Sequence, residues 1–271
     1  MSTTASQKKS SGDGLKNLFA GASMLFALLL GILIYVFIMG DPKNFEGGDP
    51  IKGHPLNFLG IIHKGGVVVP MLLAINLIVI IFSIERIITI AKANGKGNVS
   101  TFVKKIQGLL DDNRIDEAIN ACDQQRGSLA NVVRAGLNRY KLVVKDATMD
   151  NDSKAAAIQK ELEEATTLEL PMLSKNLVII STCASIGTLI GLIGTVFGMI
   201  KAFSALASQG SPDTVALATG ISEALINTAF GIIASTLAIV AYNYFSNRID
   251  GMTYSIDEAS FTIVQNFNAH H

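Results

Sequence analysis

The sequence predicts an all-α integral membrane protein with four transmembrane helices and a helical cytoplasmic domain. Of its 271 residues, 49% are hydrophobic and only 16% are charged, a balance typical of membrane proteins. The third observation is the length of the apolar runs, because an α-helix needs about 20 apolar residues to cross a bilayer. Four runs reach or approach that length, at 18–39, 67–90, 177–206 and 215–245.

The first run follows Lys8, Lys9 and Lys16, as the apolar part of a signal peptide would. It is too long for that role and lacks a clear cleavage site of small residues, so we expect an uncleaved span. The third and fourth runs have about 30 residues, which corresponds to roughly 45 Å of helix. These two helices must therefore be tilted or extend beyond the membrane into the cytoplasm.

The distribution of Lys and Arg predicts the orientation. Most of the basic residues fall in 91–176, whereas the turn between the last two spans has none, although Lys201 lies shortly before it. The long stretch is therefore expected inside and the turn outside, with Lys43, Lys52 and Lys64 in the first loop as a mild counter-argument. The predicted segments are a cytoplasmic N-terminus (1–17), an extra transmembrane helix (18–40), a periplasmic loop (41–66), a transmembrane helix (67–90), a helical cytoplasmic domain (91–176), a transmembrane helix (177–207), a periplasmic turn (208–214), a transmembrane helix (215–246) and a cytoplasmic tail (247–271).

Composition and motifs argue against several classes of function. Basic and acidic residues balance, and no basic patch interleaves with aromatic residues, so nucleic acid is not an expected partner. The spacing of Cys122 and Cys183 suits neither a disulfide framework nor a metal site. The four histidines lie outside the spans, and neither an HExxH motif nor a phosphate-binding loop is present. We therefore predict no enzyme activity, catalytic residue, metal or cofactor.

The last two spans carry small residues at helical spacing. Gly187, Gly191, Gly194 and Gly198 are four, three and four apart and share one helix face. Such a face lets another backbone approach closely, so we interpret it as a packing surface. In the fourth span, Ser211 and Pro212 are the expected N-cap and first helical residue. The matching face of that span contains Gly220, Ala224, Asn227, Gly231, Ala234 and Ala238.

Glu223 is a carboxylate inside the apolar fourth span, and an ionised carboxylate at membrane depth costs several kcal/mol. It must therefore be protonated, paired or in contact with water, whereas Lys201 and Asp213 are expected near the outer end, within reach of water. With Gly210 as the centre of the turn, Thr195 lies 15 residues before it, and Glu223 and Thr228 lie 13 and 18 after it. The three are expected at similar depth, with Glu223 and Thr228 about 140° apart around the helix. A proton or ion pathway is one interpretation, and a neutral glutamate hydrogen-bonded within the bundle is the alternative.

The segments GLIGTVFGMIKAF and GISEALINTAFGIIASTLAIVAYNYF resemble the signature of the MotA/TolQ/ExbB proton-channel family, most closely its ExbB type. The similarity includes IDEAINAC, LANVVRAGLNR and GGVVVPMLLAINLIVIIFSIERI, and it covers about residues 65–248. The family has a three-span core, to which this chain adds the first run. The resemblance implies a multi-pass protein of the bacterial inner membrane, forming a pentamer around an ExbD/TolR-like subunit with an intramembrane aspartate. It also implies that Thr195, Glu223 and Thr228 face the proton pathway.

The implied function is to couple the proton motive force, through a TonB-like protein, to transport across the outer membrane. A TolQ-like role in envelope integrity and a flagellar-stator relative are close alternatives, although the stretch of about 85 residues is short for a stator subunit. A non-conducting membrane scaffold is the alternative from another class. Two questions stay open from sequence: whether Glu223 itself carries a proton, and whether the extra span is only an anchor or stabilises the pentamer.

Overall fold

The computed structural model describes residues 11–51, 53–207 and 213–270, with side chains placed from residue 20 onward. The described residues form helices and no β-strand. Four helical segments are long and apolar enough to cross a membrane, which confirms the predicted fold class. They are Ala20–Met39, Gly66–Ala93, Asn151–Leu206 and Thr214–His270.

The α-helices follow one another through short connections. The first continues without a break into a π-helical segment, Ile34–Met39, and single 3-10 turns occupy Pro42–Asn44, Glu46–Gly48 and Gly66–Val68. In chain order the α-helices of the described residues are α1 (Ser11–Leu33), α2 (Phe58–His63), α3 (Val69–Ala93), α4 (Val99–Asp111), α5 (Ile115–Gln125), α6 (Ser128–Val144), α7 (Asn151–Ser174), α8 (Leu177–Leu206) and α9 (Thr214–His270).

The chain divides into two compact units. The first comprises Met1–Ser83 and Ile179–Tyr242, and the second comprises Ile84–Val178 and Asn243–His271. Helix α9 is a single helix of 57 residues, so it extends well beyond the apolar run at 215–245, as its predicted extension out of the membrane requires. The helix continues because 247–270 contains no proline and keeps buried apolar residues three or four apart, at Ile249, Met252, Ile256, Ala259, Ile263 and Phe267.

In the first unit, α8 and α9 approach each other at backbone distance along a small-residue seam. The seam consists of Gly187, Gly191, Gly194, Gly198 and Ala202 of α8 against Gly220, Ala224, Asn227 and Gly231 of α9. A Cβ atom built on Gly198 would lie 2.6 Å from the backbone nitrogen of Ala224, and one on Gly231 would lie 2.7 Å from the carbonyl oxygen of Gly187. Real Cβ atoms do not approach other atoms so closely, so this spacing of the two helices requires glycine.

The second unit has its own apolar core, formed by α4 to α7 and the end of α9. Apolar residues three and four apart turn inward from each helix, and the Tyr140 and Phe267 rings pack edge to face with centroids 5.2 Å apart. The helices predicted from the periodicity of 91–176 are confirmed. The core includes Phe102, Ile106, Leu110, Leu137, Ile158, Leu162, Ile256 and Ile263.

A buried ion pair at the end of α7 also belongs to the second unit. Arg86 is 2% exposed and pairs with Glu85 at 2.6 Å, which is the local salt link that these neighbouring residues suggest. Its guanidinium also donates to the carbonyl oxygen of Leu173 at 2.8 Å. Arg86 thereby satisfies a carbonyl in the last turn of α7 that the helix itself leaves unpaired.

Replacement of Gly198 by alanine should separate the seam. The added Cβ meets backbone atoms that cannot rotate away, so we expect Gly198→Ala to lower the free energy of unfolding by about 1–3 kcal/mol. Gly251→Ala, on α9, is the matched control, because a Cβ at Gly251 meets nothing within 4 Å and alanine is the better helix former. Thermal unfolding in detergent compares the two variants. Equal melting temperatures would contradict the close contact of α8 and α9 at Gly198.

Cys122 should be chemically inert in the folded protein. Burial raises the pKa of its thiol from 9.0 to about 12, so the thiolate population at pH 8 falls by about a thousandfold. In a Cys183→Ser background, we expect iodoacetamide to modify Cys122 slower than an exposed cysteine by at least that factor. Ser100→Cys, in a chain that lacks both native cysteines, supplies the exposed reference, and similar rates for both thiols would be the contrary result.

Candidate functional site

Glu223 on α9 forms an ion pair with Lys201 on α8. The ammonium nitrogen of Lys201 lies 2.8 Å from Oε1 and 2.7 Å from Oε2 of the carboxylate. The two partners differ in exposure, because the side chain of Glu223 is 4% exposed and that of Lys201 is 58% exposed. Of the possibilities open to a carboxylate at membrane depth, the structure shows a paired one.

The pairing fixes the register of the α8–α9 hairpin. Lys201 pairs with Glu223, and Thr195 pairs with Thr228, so both pairs have their midpoint near residue 212. From the sequence, we expected the centre of the turn at Gly210 and the side chain of Lys201 near the outer end of the span, within reach of water. With the centre near 212, opposite charges at equal distance from the turn would have predicted this ion pair.

The capping residue of α9 is Asp213. Its Oδ1 accepts hydrogen bonds from the backbone N–H groups of Val215 and Ala216, at 3.1 and 2.9 Å. Thr214 is accordingly the first residue of the helix. The N-cap expected at Ser211 and the first helical position expected at Pro212 lie outside the described residues.

Thr195 and Thr228 form a pair of hydroxyl groups that are hydrogen-bonded to each other. Each Oγ1 also lies 3.1 Å from a carbonyl oxygen one turn earlier in its own helix, that of Gly191 or Ala224. Both threonines are half-buried. Thr195 additionally lines an open groove on α8, together with Val196, Met199, Ile200, Phe203, Ser204 and Ala207.

The three polar residues expected in one pathway lie on two sides of the seam. Glu223 and Thr228 are about 140° apart around α9, and the seam residue Asn227 packs against Gly194 between them. Thr195 and Thr228 contact each other, whereas Glu223 contacts Lys201 and lies against Gly66. The structure therefore brings the two threonines together and gives Glu223 a separate set of neighbours.

The segment Gly65–Gly66 forms the wall beside Glu223. Gly66 has a φ of +78°, and a Cβ atom built on it would lie 2.2 Å from Oε1 of Glu223. The side-chain amide of Asn227, which is 0% exposed, donates to the carbonyl oxygen of Gly65 at 2.9 Å. Asn227 thus holds this segment, and Glu223, one turn away on α9, lies against it. The paired glycines before the second apolar run were the available signal in the sequence.

The first span is attached to the same region through Tyr35 and His63. The Tyr35 hydroxyl donates to the carbonyl oxygen of His63 at 3.1 Å, and Nδ1 of His63 lies 3.2 Å from the carbonyl oxygen of Tyr35. The rings stack with centroids 4.4 Å apart. Burial lowers the pKa of His63, so the ring is neutral at pH 7 and Nδ1 carries the donated proton. No pattern in the sequence pointed to this contact, since π-helical turns have no simple signature.

No group of three or more His, Cys, Asp or Glu side chains suited to a metal ion occurs in the part of the chain that the structure describes. The buried thiols of Cys122 and Cys183 are free cysteines.

Comparison with known proteins identifies one matching family and several similar proteins. The model of the MotA/TolQ/ExbB proton channel family matches residues 124–258. The Tol-Pal system protein TolQ of Pseudomonas aeruginosa is 32% identical over 43% of this chain and 51% of its own length. TolQ of Haemophilus influenzae is 29% identical over 73% of this chain and 87% of its own. The biopolymer transport protein ExbB of Pseudomonas putida is 28% identical over 52% and 42%. The chain thus spans about half the length of two of these relatives and most of the third.

Replacement of Gly66 by alanine should disturb the wall beside Glu223. The change adds a strained left-handed backbone and a collision with a carboxylate that can move away only by giving up its contacts with Lys201. We therefore expect it to cost about 1–3 kcal/mol more than strain alone. Gly47→Ala is the matched control, because Gly47 has a φ of +68° and open space around it. Thermal unfolding in detergent measures both, and an equal loss in the two variants would show that Glu223 does not contact Gly66.

Proposed function

We propose that this chain, which belongs to the MotA/TolQ/ExbB proton channel family, is a proton-channel subunit of an energy-transducing complex in the bacterial inner membrane. Its relatives are TolQ and ExbB proteins, and it is a membrane subunit of that type. In the proposal, residues 91–176 face the cytoplasm and 41–66 face the periplasm. Proton movement through the complex supplies the work.

The observation that carries the proposal is the hydroxyl pair of Thr195 and Thr228. Two hydroxyl groups have two protons but three acceptors between them, namely the carbonyl oxygens of Gly191 and Ala224 and whichever hydroxyl accepts from the other. Either threonine can be the donor of the shared bond. The pair therefore has two hydrogen-bonded arrangements, and exchange between them reverses the direction of donation.

A pair with two arrangements suits proton transfer along a polar file. A hydroxyl that donates in one arrangement accepts in the other, so it can pass hydrogen bonds to water or to a carboxyl group of another chain. The groove beside Thr195 is apolar apart from Thr195 and Ser204, which favours a helix with one polar group as its occupant. We propose that an ExbD/TolR-like subunit with an intramembrane aspartate supplies that helix, within a pentamer of this chain.

The proposed role is that of an ExbB-type subunit, in which a TonB-like protein transmits the energy of proton movement to transport across the outer membrane. The runner-up is the TolQ type, for envelope integrity. One observation favours the latter: the match to the Haemophilus influenzae TolQ covers 87% of that protein, against 42% for the Pseudomonas putida ExbB. A flagellar stator fits less well because of the short stretch 91–176.

Proton flux into liposomes that contain this chain with its ExbD/TolR-like partner tests the channel. Thr195→Val and Thr228→Val keep the shape of the side chains and remove the hydroxyl groups, at a cost of roughly one hydrogen bond. We expect each to lower the flux by about tenfold with the oligomer intact. Thr219→Val is the control, because this exposed threonine of α9 bonds only to its own helix at Val215. Unchanged flux in both the Thr195→Val and the Thr228→Val variants would show that the hydroxyl pair is not on the proton path, and absence of flux in the wild-type complex would favour the non-conducting scaffold.

Complementation separates the two tasks. Cells that lack their own ExbB are tested for siderophore uptake, and cells that lack TolQ are tested for resistance to detergent, each with this chain and its partner supplied together. We expect recovery of siderophore uptake, and Glu223→Ala should abolish it. Recovery of detergent resistance alone would assign the chain to the TolQ type.

A further inference from the structure

Lys201 is the cation that accompanies Glu223. Both carboxylate oxygens lie within 2.8 Å of one ammonium nitrogen. A carboxylate accepts through both oxygens, whereas a protonated carboxyl group has one oxygen that must donate, and an ammonium has nothing to accept that proton. The geometry of the pair is therefore that of two charged groups.

We infer that Lys201 is the positioning residue of this site: it holds Glu223 as a fixed anion, and the proton that crosses the channel is carried elsewhere. The second half of the inference rests on the proposed function, and the first half does not. Glu223 then sets the polarity and the packing beside Gly65–Gly66, and the hydroxyl pair of Thr195 and Thr228 lies on the proton path.

The other ionisable groups near Glu223 have different partners. Tyr35 donates its hydroxyl proton to the carbonyl oxygen of His63. His63 is engaged with the carbonyl oxygen of Tyr35. The ammonium of Lys64 donates to the carbonyl oxygen of Ile51 at 2.7 Å. Among the described residues, Lys201 is the cation that forms an ion pair with Glu223.

The two partners are not equivalent. Lys201 keeps more than half of its side chain exposed, so loss of Glu223 leaves an ammonium that can find other acceptors. Loss of Lys201 leaves a carboxylate buried among α8, α9 and Gly66 without a counter-charge. A buried carboxylate in that position takes up a proton rather than remain charged. Lys201 therefore determines the protonation state of Glu223.

Infrared spectroscopy of the complete complex in lipid tests the inference without any measurement of flux. In the wild type at neutral pH, we expect that no band of a protonated carboxyl group belongs to Glu223, so the Glu223→Gln variant should lose none. Lys201→Met should create such a band, and Lys201→Arg, which keeps the positive charge, should not. A wild-type acid band that Glu223→Gln removes would overturn the inference, as would a Lys201→Met spectrum without one.

One further variant keeps the test informative. If Lys201→Met fails to assemble, the comparison of the wild-type spectrum with that of Glu223→Gln still decides. The double variant Lys201→Met with Glu223→Gln is expected to assemble, because it leaves no charge unpaired. Proton flux is then measured for Lys201→Arg, which should retain the pH profile of the wild type. If the complex conducts no protons, the proposed function is contradicted. The infrared result would still decide whether Lys201 holds Glu223 as an anion.

Discussion

The close approach of α8 and α9 is the constraint on which the first unit depends. Between apolar helices in a membrane, association comes from van der Waals packing and from polar contacts rather than from the hydrophobic effect. Glycines at Gly191, Gly198 and Gly231 let the backbones touch and so maximise that packing. The spacing leaves no freedom in register, and this fixed register is what aligns each polar side chain with its partner on the other helix.

The seam also separates two kinds of polar chemistry. Thr195 and Thr228 share a neutral hydrogen bond whose direction can reverse, and Lys201 and Glu223 share a charged contact without that freedom. Small residues exclude water between the two pairs, so each keeps its own surroundings. A hydroxyl pair is suited to passing protons, whereas an ion pair is suited to keeping the packing and the electrostatic potential around it constant.

Much of the fold could be predicted because it depends on patterns that repeat along the chain. The lengths of the apolar runs gave the four spans, and the spacing of Gly187, Gly191, Gly194 and Gly198 indicated the face that packs. Lys201 was not recognised as the partner of Glu223 because the centre of the turn was assumed to be Gly210. The observed pairs have their midpoint near residue 212, and only with that centre do Lys201 and Glu223 lie at equal distance from the turn. The attachment of the first span was not predicted, since Tyr35 and His63 lie 28 residues apart and no motif or repeat in the sequence connects them.

The ion pair across the hairpin has a consequence for biogenesis. Lysine costs about 2.5–3.5 kcal/mol when a helix carries it alone to the centre of the bilayer, and acidic residues are similarly unfavourable. Lys201 and Glu223 lie on opposite arms of one hairpin with a short connection between them. Entry of α8 and α9 as a closed hairpin lets the two charges meet before they leave water, whereas sequential entry exposes each charge to lipid in turn. The same contact that fixes the mature site therefore favours insertion of the two helices as one unit.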